Sequence, residues 1–247
     1  MNKKILLIAG HGGTDSGAVG NNRKEAIEVR SIAYSLYEKL KNEIEIEYYN
    51  PSVKHNSTKD YAKYKGYNVI EIHLNSAGSI ATGTEVLIKK GYKPDSLDTA
   101  LLHTLGKYFR NRGFKYRDDL YSMNTFGSLG ITYRLIEICF INNINDLNVL
   151  DKNYNSIIND LSSTIKPYGI KKVTTNTTVN TPVTTNYYPK VNQNNKSIVD
   201  ALRSIGVDCS FTNRLKIASK NGFVNYTGSA EQNIRMLNLL KNGKLKK

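Results

Sequence analysis

Short apolar runs separated by amphipathic stretches fill the first 170 residues, and they constrain the fold more than any other feature. Residues 4–9, 44–49, 67–74, 84–89 and 135–140 read as strands, while 23–41, 96–112 and 144–165 carry apolar side chains at helical spacing. The resulting β-α-β-β-β-α-β-α order predicts an α/β domain with a mainly parallel sheet flanked by helices. In such sheets the working groups gather beyond the carboxyl ends of the strands.

The pattern breaks at residues 171–195, a Thr- and Asn-rich segment with few aliphatic side chains. It cannot bury enough apolar area to offset its ordering entropy and reads as a linker. Domains at 1–170 and 196–247 follow. The second carries apolar faces at helical spacing over 197–205, 211–221 and 230–240, with Gly206, Gly222 and Gly228 between them. A small all-α domain of three short helices is expected there.

Charge is distributed unevenly. The net charge is +14, yet 196–247 alone holds ten Lys or Arg against three Asp or Glu, whereas 1–170 is close to balanced. A basic C-terminal third attracts a polyanion: nucleic acid, a membrane surface or an anionic wall polymer. Charge alone does not choose among them. A glycine-rich loop follows the first strand, but neither GxGxxG nor GxxxxGK[ST] occurs, which argues against nucleotide binding. The opening MNKKILLIAG has too short an apolar run for a signal peptide and reads as a buried strand. No stretch is apolar over the ~18 residues a membrane span needs. The two cysteines, Cys139 and Cys209, fall in different domains and suggest no disulfide framework; Cys139 reads as a small core residue.

Of the four histidines, His11 and His73 stand at or just past the ends of strands, where a site would form. His103 falls inside a helix and His55 in a polar loop, and both read as structural or solvated. Glycines at 12, 13, 17 and 20 let the chain turn sharply after His11. Glu25 follows on the first helix. Glu137 lies in an otherwise apolar strand, where an unpaired buried carboxylate costs several kcal/mol and demands a partner or a job. Asp15 reads as a turn organiser, Glu28 as part of a solvated helix face, and Glu71 as an exposed strand residue.

Taken in order, the motifs are HGGTDSGAVG from His11, Glu25 fourteen residues after that histidine, His73-Leu74-Asn75, and Glu137 ahead of Phe140 and Asn143. This order resembles the zinc N-acetylmuramoyl-L-alanine amidases of the amidase-3 family, found in autolysins, sporulation amidases and phage endolysins. The resemblance covers about residues 1–170. It implies the zinc amidase fold, Zn2+ held by His11, Glu25 and His73, and Glu137 as general acid/base. The reaction implied is hydrolysis of the amide between N-acetylmuramic acid and L-alanine of peptidoglycan. Glu85 matches a family segment near the substrate groove, and Asn75 of the His73-Leu74-Asn75 motif would hydrogen-bond substrate or orient His73. Leu74 and the Asn21-Asn22 pair depart from the family pattern, which leaves substrate detail open. The last 50 or so residues are similar to short wall-binding modules, with Phe211, Arg214 and Tyr226 as ligand contacts.

The leading expectation is therefore a phage endolysin that stays in the host cytoplasm until lysis and then acts at the wall. It would bind peptidoglycan and an anionic wall polymer, with no nucleic-acid partner and no membrane span. A host autolysin of the same activity is the alternative. A basic nucleic-acid-binding protein, the other class suggested by charge, leaves the His–Glu–His set unexplained.

Overall fold

The five residues Ile5–Ala9 (β1) are all buried, as a strand covered on both faces by other elements must be. In the computed structural model, which describes residues 2–49, 61–172, 186–209, 211–223 and 226–247, β1 lies inside a six-stranded sheet. Its parallel neighbours are β4 (Ile46–Tyr48) and β5 (Asn68–Asn75). A short hairpin of β2 (Val19–Gly20) and β3 (Arg23–Lys24) precedes the helix α1 (Glu25–Leu40). Beyond β5 come β8 (Thr132–Phe140), β6 (Thr84–Lys89) and β7 (Asn111–Arg117), in the order β4-β1-β5-β8-β6-β7. Within this sheet, among the described residues, only the β6–β8 pairing is antiparallel. The chain is thus a mostly parallel sheet flanked by helices, with a small helical C-terminal unit.

Strand alternation divides the sheet into two faces. Ile5, Leu7 and Ala9 of β1, Ile70, Ile72 and Leu74 of β5, and Ile136 and Ile138 of β8 share one core. Against it pack α1, α2 (Ser96–Leu105) and α4 (Ile144–Ile165) through Val29, Leu36, Leu101, Leu150 and Leu161. Each such aliphatic side chain contributes about 1.5–3 kcal/mol by leaving water. The other face is aromatic. There Leu6, Ile8 and Val69 meet Tyr49, Tyr61, Tyr64 and, from α3 (Tyr121–Ser128), Phe126. Tyr61 stacks on Phe126, and Phe126 on Tyr133.

Three elements depart from the sequence reading. The helix expected over 96–112 stops at Leu105, and its last residues begin the strand β7. The hairpin β2–β3 and the helix α3 were not expected. Asn21 and Asn22 form the hairpin turn, both with positive φ (49° and 60°). Asparagine tolerates that left-handed backbone, so it serves where a glycine is common.

Residues 1–173 and 174–247 form two units. In the second, α5 (Ile198–Ser204), α6 (Phe211–Lys220) and α7 (Ala230–Lys241) enclose Ile198, Leu202, Ala218, Met236 and Leu240. Ser197 caps α5, and Ser229 with Gln232 forms a capping box on α7. Residues 186–195, read as linker, belong to this unit. Tyr187 bridges Lys246, Tyr188 N–H donates to the Leu245 carbonyl, and Val191 is buried. At the other end of the proposed linker Lys171 bridges Ile44 and Lys172 N–H donates to the Glu43 carbonyl, within the first unit, while 173–185 lies outside the described residues, as do His55, Ser210 and Asn225. Among the described residues no helix is long and apolar enough to cross a membrane.

Candidate metal centre and its carboxylates

The face that carries the aromatic core also carries Glu71 and His73 of β5, Glu137 of β8 and Glu85 of β6. His73 is in register with Glu137, and Glu137 with Glu85, so three ionisable side chains line up across three strands. His11 enters from the loop after β1, its backbone at φ +64°. Arg30 of α1 fixes that loop by donating to the carbonyls of His11 (2.8 Å) and Gly13 (3.1 Å). Glu25, at the start of α1, completes the group.

The Glu25 carboxylate joins the two rings. Its Oε2 is 2.9 Å from His11 Nε2 and its Oε1 is 2.8 Å from His73 Nδ1. One donor atom from each of the three lies within 4.8 Å of the others, a group able to hold a metal ion. Each histidine presents its second ring nitrogen to another acid: His11 Nδ1 to Asp15 Oδ2 (2.9 Å), and His73 Nε2 to Glu71 Oε1 (3.0 Å). Glu71 in turn accepts from the Tyr133 hydroxyl at 2.9 Å. A carboxylate behind each imidazole fixes ring orientation and raises ligand basicity, as metal-binding histidines require. Two glycines make the close approach possible. A Cβ on Gly10 would fall 2.4 Å from His73 Cε1, and one on Gly17 would fall 2.5 Å from His11 Cδ2 and 2.8 Å from Glu25 Oε2.

Without a metal ion's charge, these groups hold protons in a characteristic way. Burial opposes a charged His73, but Glu25 and Glu71 outweigh it and raise its pKa well above the usual histidine value. The same balance raises His11 through Glu25 and Asp15. Burial likewise opposes a charged Glu25, yet the two histidines pull its pKa down. Glu137 behaves oppositely. Burial raises it to about 7, with His73 opposing and Glu25 and Glu85 adding to the rise. Its Oε2 is buried and has no hydrogen-bond partner among the described residues. A carboxylate poised near neutrality is suited to taking and returning a proton.

Several residues stand differently from the sequence reading. Glu71 is buried and bonded to His73, not exposed. Alternation held the signal: Glu71 points away from Ile70 and Ile72, hence to the same side as His73. Asp15 does organise its turn, accepting from Gly17 N–H at 2.9 Å, and it also orients His11. Asn75 and Glu85 meet each other, with Asn75 Nδ2 donating to Glu85 Oε1 at 2.8 Å. Asn143 caps α4 and donates to the carbonyls of Ser79 and Ala81, anchoring the loop between β5 and β6. Cys139 is buried in the core as expected. In the C-terminal unit Tyr226 is only 1% exposed. Its ring stacks on Phe211, and its hydroxyl accepts from Arg214 Nε and donates to Asn233. Tyr226 is thus a core residue with a satisfied hydroxyl and cannot face a ligand; Phe211 and Arg214 are half-buried.

Glu28 is the other correction. It is 3% exposed, not on a solvated face, and lies 3.6 Å from Arg23, which itself pairs with Asp151. Burial raises its pKa to about 7, with Arg23 opposing and Asp151 adding. From about pH 4.5 to 7 the folded chain therefore keeps a proton that the unfolded chain has lost, and stability falls as pH rises through that window. Glu28→Gln is expected to gain up to about 3 kcal/mol over wild type between these pH values and to stay level above them. Urea unfolding at several pH values measures this; parallel curves for the two proteins would refute it.

Two imidazoles and a carboxylate that could hold a metal ion, with Glu137 in register with His73 on the neighbouring strand, thus sit on the sheet of an α/β protein. Residues 5–167 match the family Amidase_3, described as N-acetylmuramoyl-L-alanine amidase, and the chain belongs to that family. A Staphylococcus aureus relative, "Probable autolysin PH", is 34% identical over 173 residues, or 62% of this chain. The match spans only 36% of that relative's length. Among solved structures, the catalytic domain of the CD27L endolysin targeting Clostridia difficile is 25% identical, with a TM-score of 0.53 over 68% of this chain and 99% of that one. An N-acetylmuramoyl-L-alanine amidase from Clostridium difficile 630, at 23% identity, shares the fold with a TM-score of 0.56 over 68% of this chain and 97% of that one.

Proposed function

We propose that this protein is a zinc-dependent peptidoglycan amidase that cuts between N-acetylmuramic acid and the L-alanine of the stem peptide. The observation that carries the reading is Glu137, in register with His73, whose Oε2 is buried and has no hydrogen-bond partner among the described residues. Two imidazoles and one carboxylate are a donor set that suits zinc. His11, Glu25 and His73 would hold it. When bound, zinc supplies Lewis acidity to the amide carbonyl and to the attacking water. Glu137 takes the water's proton on its carboxylate and returns one to the leaving amine nitrogen. Asp15 and Glu71 hold the two imidazoles in place from behind.

The second unit brings the enzyme to its wall. Its excess of Lys and Arg favours an anionic wall polymer, with association faster at low salt. Likeness to an endolysin catalytic domain supports a phage lytic enzyme, which waits in the host cytoplasm and acts once it reaches the wall. The staphylococcal relative's description favours a host autolysin as the second reading.

Purified walls should release new L-alanine amino termini. A zinc chelator should abolish the release and added zinc restore it. Walls stripped of anionic polymer should be cut more slowly at low salt. Activity that survives chelation would overturn the zinc reading, and absence of new alanine termini the amidase reading.

A further inference from the structure

Glu85 stands beside Glu137 in the cross-strand row, where a substrate contact is expected, yet both its oxygens are engaged. Oε1 accepts from Asn75, and Oε2 accepts from Arg112 Nε at 2.8 Å. Glu85 is therefore a brace, and Arg112 of β7 is what it holds. A second contact fixes the same guanidinium, whose Cζ lies 5.0 Å from the ring centre of Phe140, itself buried. The side chain nevertheless remains 31% exposed. Its terminal Nη1 and Nη2 have no hydrogen-bond or ion-pair partner among the described residues. A guanidinium clamped by its Nε and its face, with both terminal nitrogens open, is prepared to grip a carboxylate with two parallel hydrogen bonds.

Its position says which carboxylate. Arg112 lies two strands beyond Glu137, about 10 Å away at the usual strand spacing of ~4.8 Å. An extended peptide advances about 3.3–3.6 Å per residue. If the scissile amide lies at Glu137, as the amidase reading holds, the second stem-peptide residue comes within reach of the guanidinium. In peptidoglycan that residue is a γ-linked D-glutamate whose α-carboxyl is either free or amidated. We propose that Arg112 binds this free α-carboxylate and makes the enzyme prefer stem peptides with D-isoglutamate over those with D-isoglutamine. The inference rests on the amidase reading and adds a specificity residue to it.

The test is a ratio. N-acetylmuramoyl-L-alanyl-D-isoglutamate and its D-isoglutamine counterpart are hydrolysed by wild type, Arg112→Lys and Arg112→Gln. Wild type should favour the carboxylate substrate in kcat/KM by about 10- to 100-fold, the range for a charge-assisted hydrogen bond. Arg112→Gln should bring that ratio close to one, chiefly through KM for the carboxylate substrate, and Arg112→Lys should keep part of it. Loss of the brace on Glu85 or partial unfolding lowers both rates together and cancels in the ratio. A wild-type ratio near one, or one that Arg112→Gln leaves unchanged, overturns the proposal while the amidase reading stands. If wild type cuts neither substrate nor walls, the amidase reading fails, and this inference with it.

Discussion

Glu137→Gln is expected to lower turnover on purified walls by about 10²- to 10⁴-fold, the usual contribution of a positioned acid/base. The fold and the metal content should not change. Glutamine has nearly the same volume, so the strand β8 and its neighbours keep their packing. The metal donors His11, Glu25 and His73 are untouched. What the amide lacks is a proton-accepting oxygen of adjustable charge. In the metal-free protein burial holds the Glu137 carboxyl at about 7, so the fold bears a cost for ionising it above that pH, and the uncharged variant avoids that cost. Above pH 7 the metal-free variant should therefore melt no lower than metal-free wild type. Release of L-alanine termini, thermal melting and zinc content measured on one preparation check all three expectations. Full turnover in the variant would remove Glu137 from the mechanism, whereas lost turnover accompanied by lost zinc would point to a disturbed site.

The parts of this molecule that could be read from sequence are those where one local rule dominates. Ile144–Ile165 is a helix of the expected length because its apolar stripe is uninterrupted and Asn143 caps it. Thr84–Lys89 is the expected strand because its side chains are buried along most of its length. The edge strand β7, NRGFKYR, was missed, its first two residues being taken into a helix, because it is half-exposed, charged and interrupted by Gly113, so no apolar alternation marks it. His11 and His73, and the Glu25 carboxylate on which they converge, stood out by type and order. Their supports did not. Glu71 was misread although its strand position placed it beside His73, and Glu28 because its burial depends on Arg23 and Asp151, the latter distant in sequence. Arg112 carried no motif; only the fold sets it at the end of the His73–Glu137–Glu85 row. Tyr226 gave no hint of its burial, since a tyrosine is equally at home in a core and at a ligand.

Arg134→Met is expected to destabilise the first unit by about 3–5 kcal/mol, the cost of stripping one partner from a buried ion pair. Arg134 is fully buried on β8, on the face packed against the three helices. Its Nε donates to Asp98 Oδ1, and its Nη2 donates to Asp95 Oδ2 at 2.8 Å. The same two aspartates form the capping box of α2. Methionine fills the space of the aliphatic stem but leaves Asp98 buried beside no cation. Burial already pushes the Asp98 carboxyl upward, so the orphaned group must ionise at a high cost or take up a proton. Asn at position 98 removes that charge while keeping an acceptor for the Asp95 N–H. The double variant Arg134→Met with Asp98→Asn should therefore recover much of the loss. For a unit of this size the single variant should melt roughly 6–20 °C lower. Arg134 also lies on the opposite face of β8 from Glu137, so the folded fraction of the variant should keep wild-type kcat below its melting point. Thermal unfolding of both variants, followed by wall hydrolysis at a temperature where each is folded, separates the two effects. A loss under 1 kcal/mol, or a double variant no more stable than the single one, would show that the pair does not hold β8 to α2 in the way described.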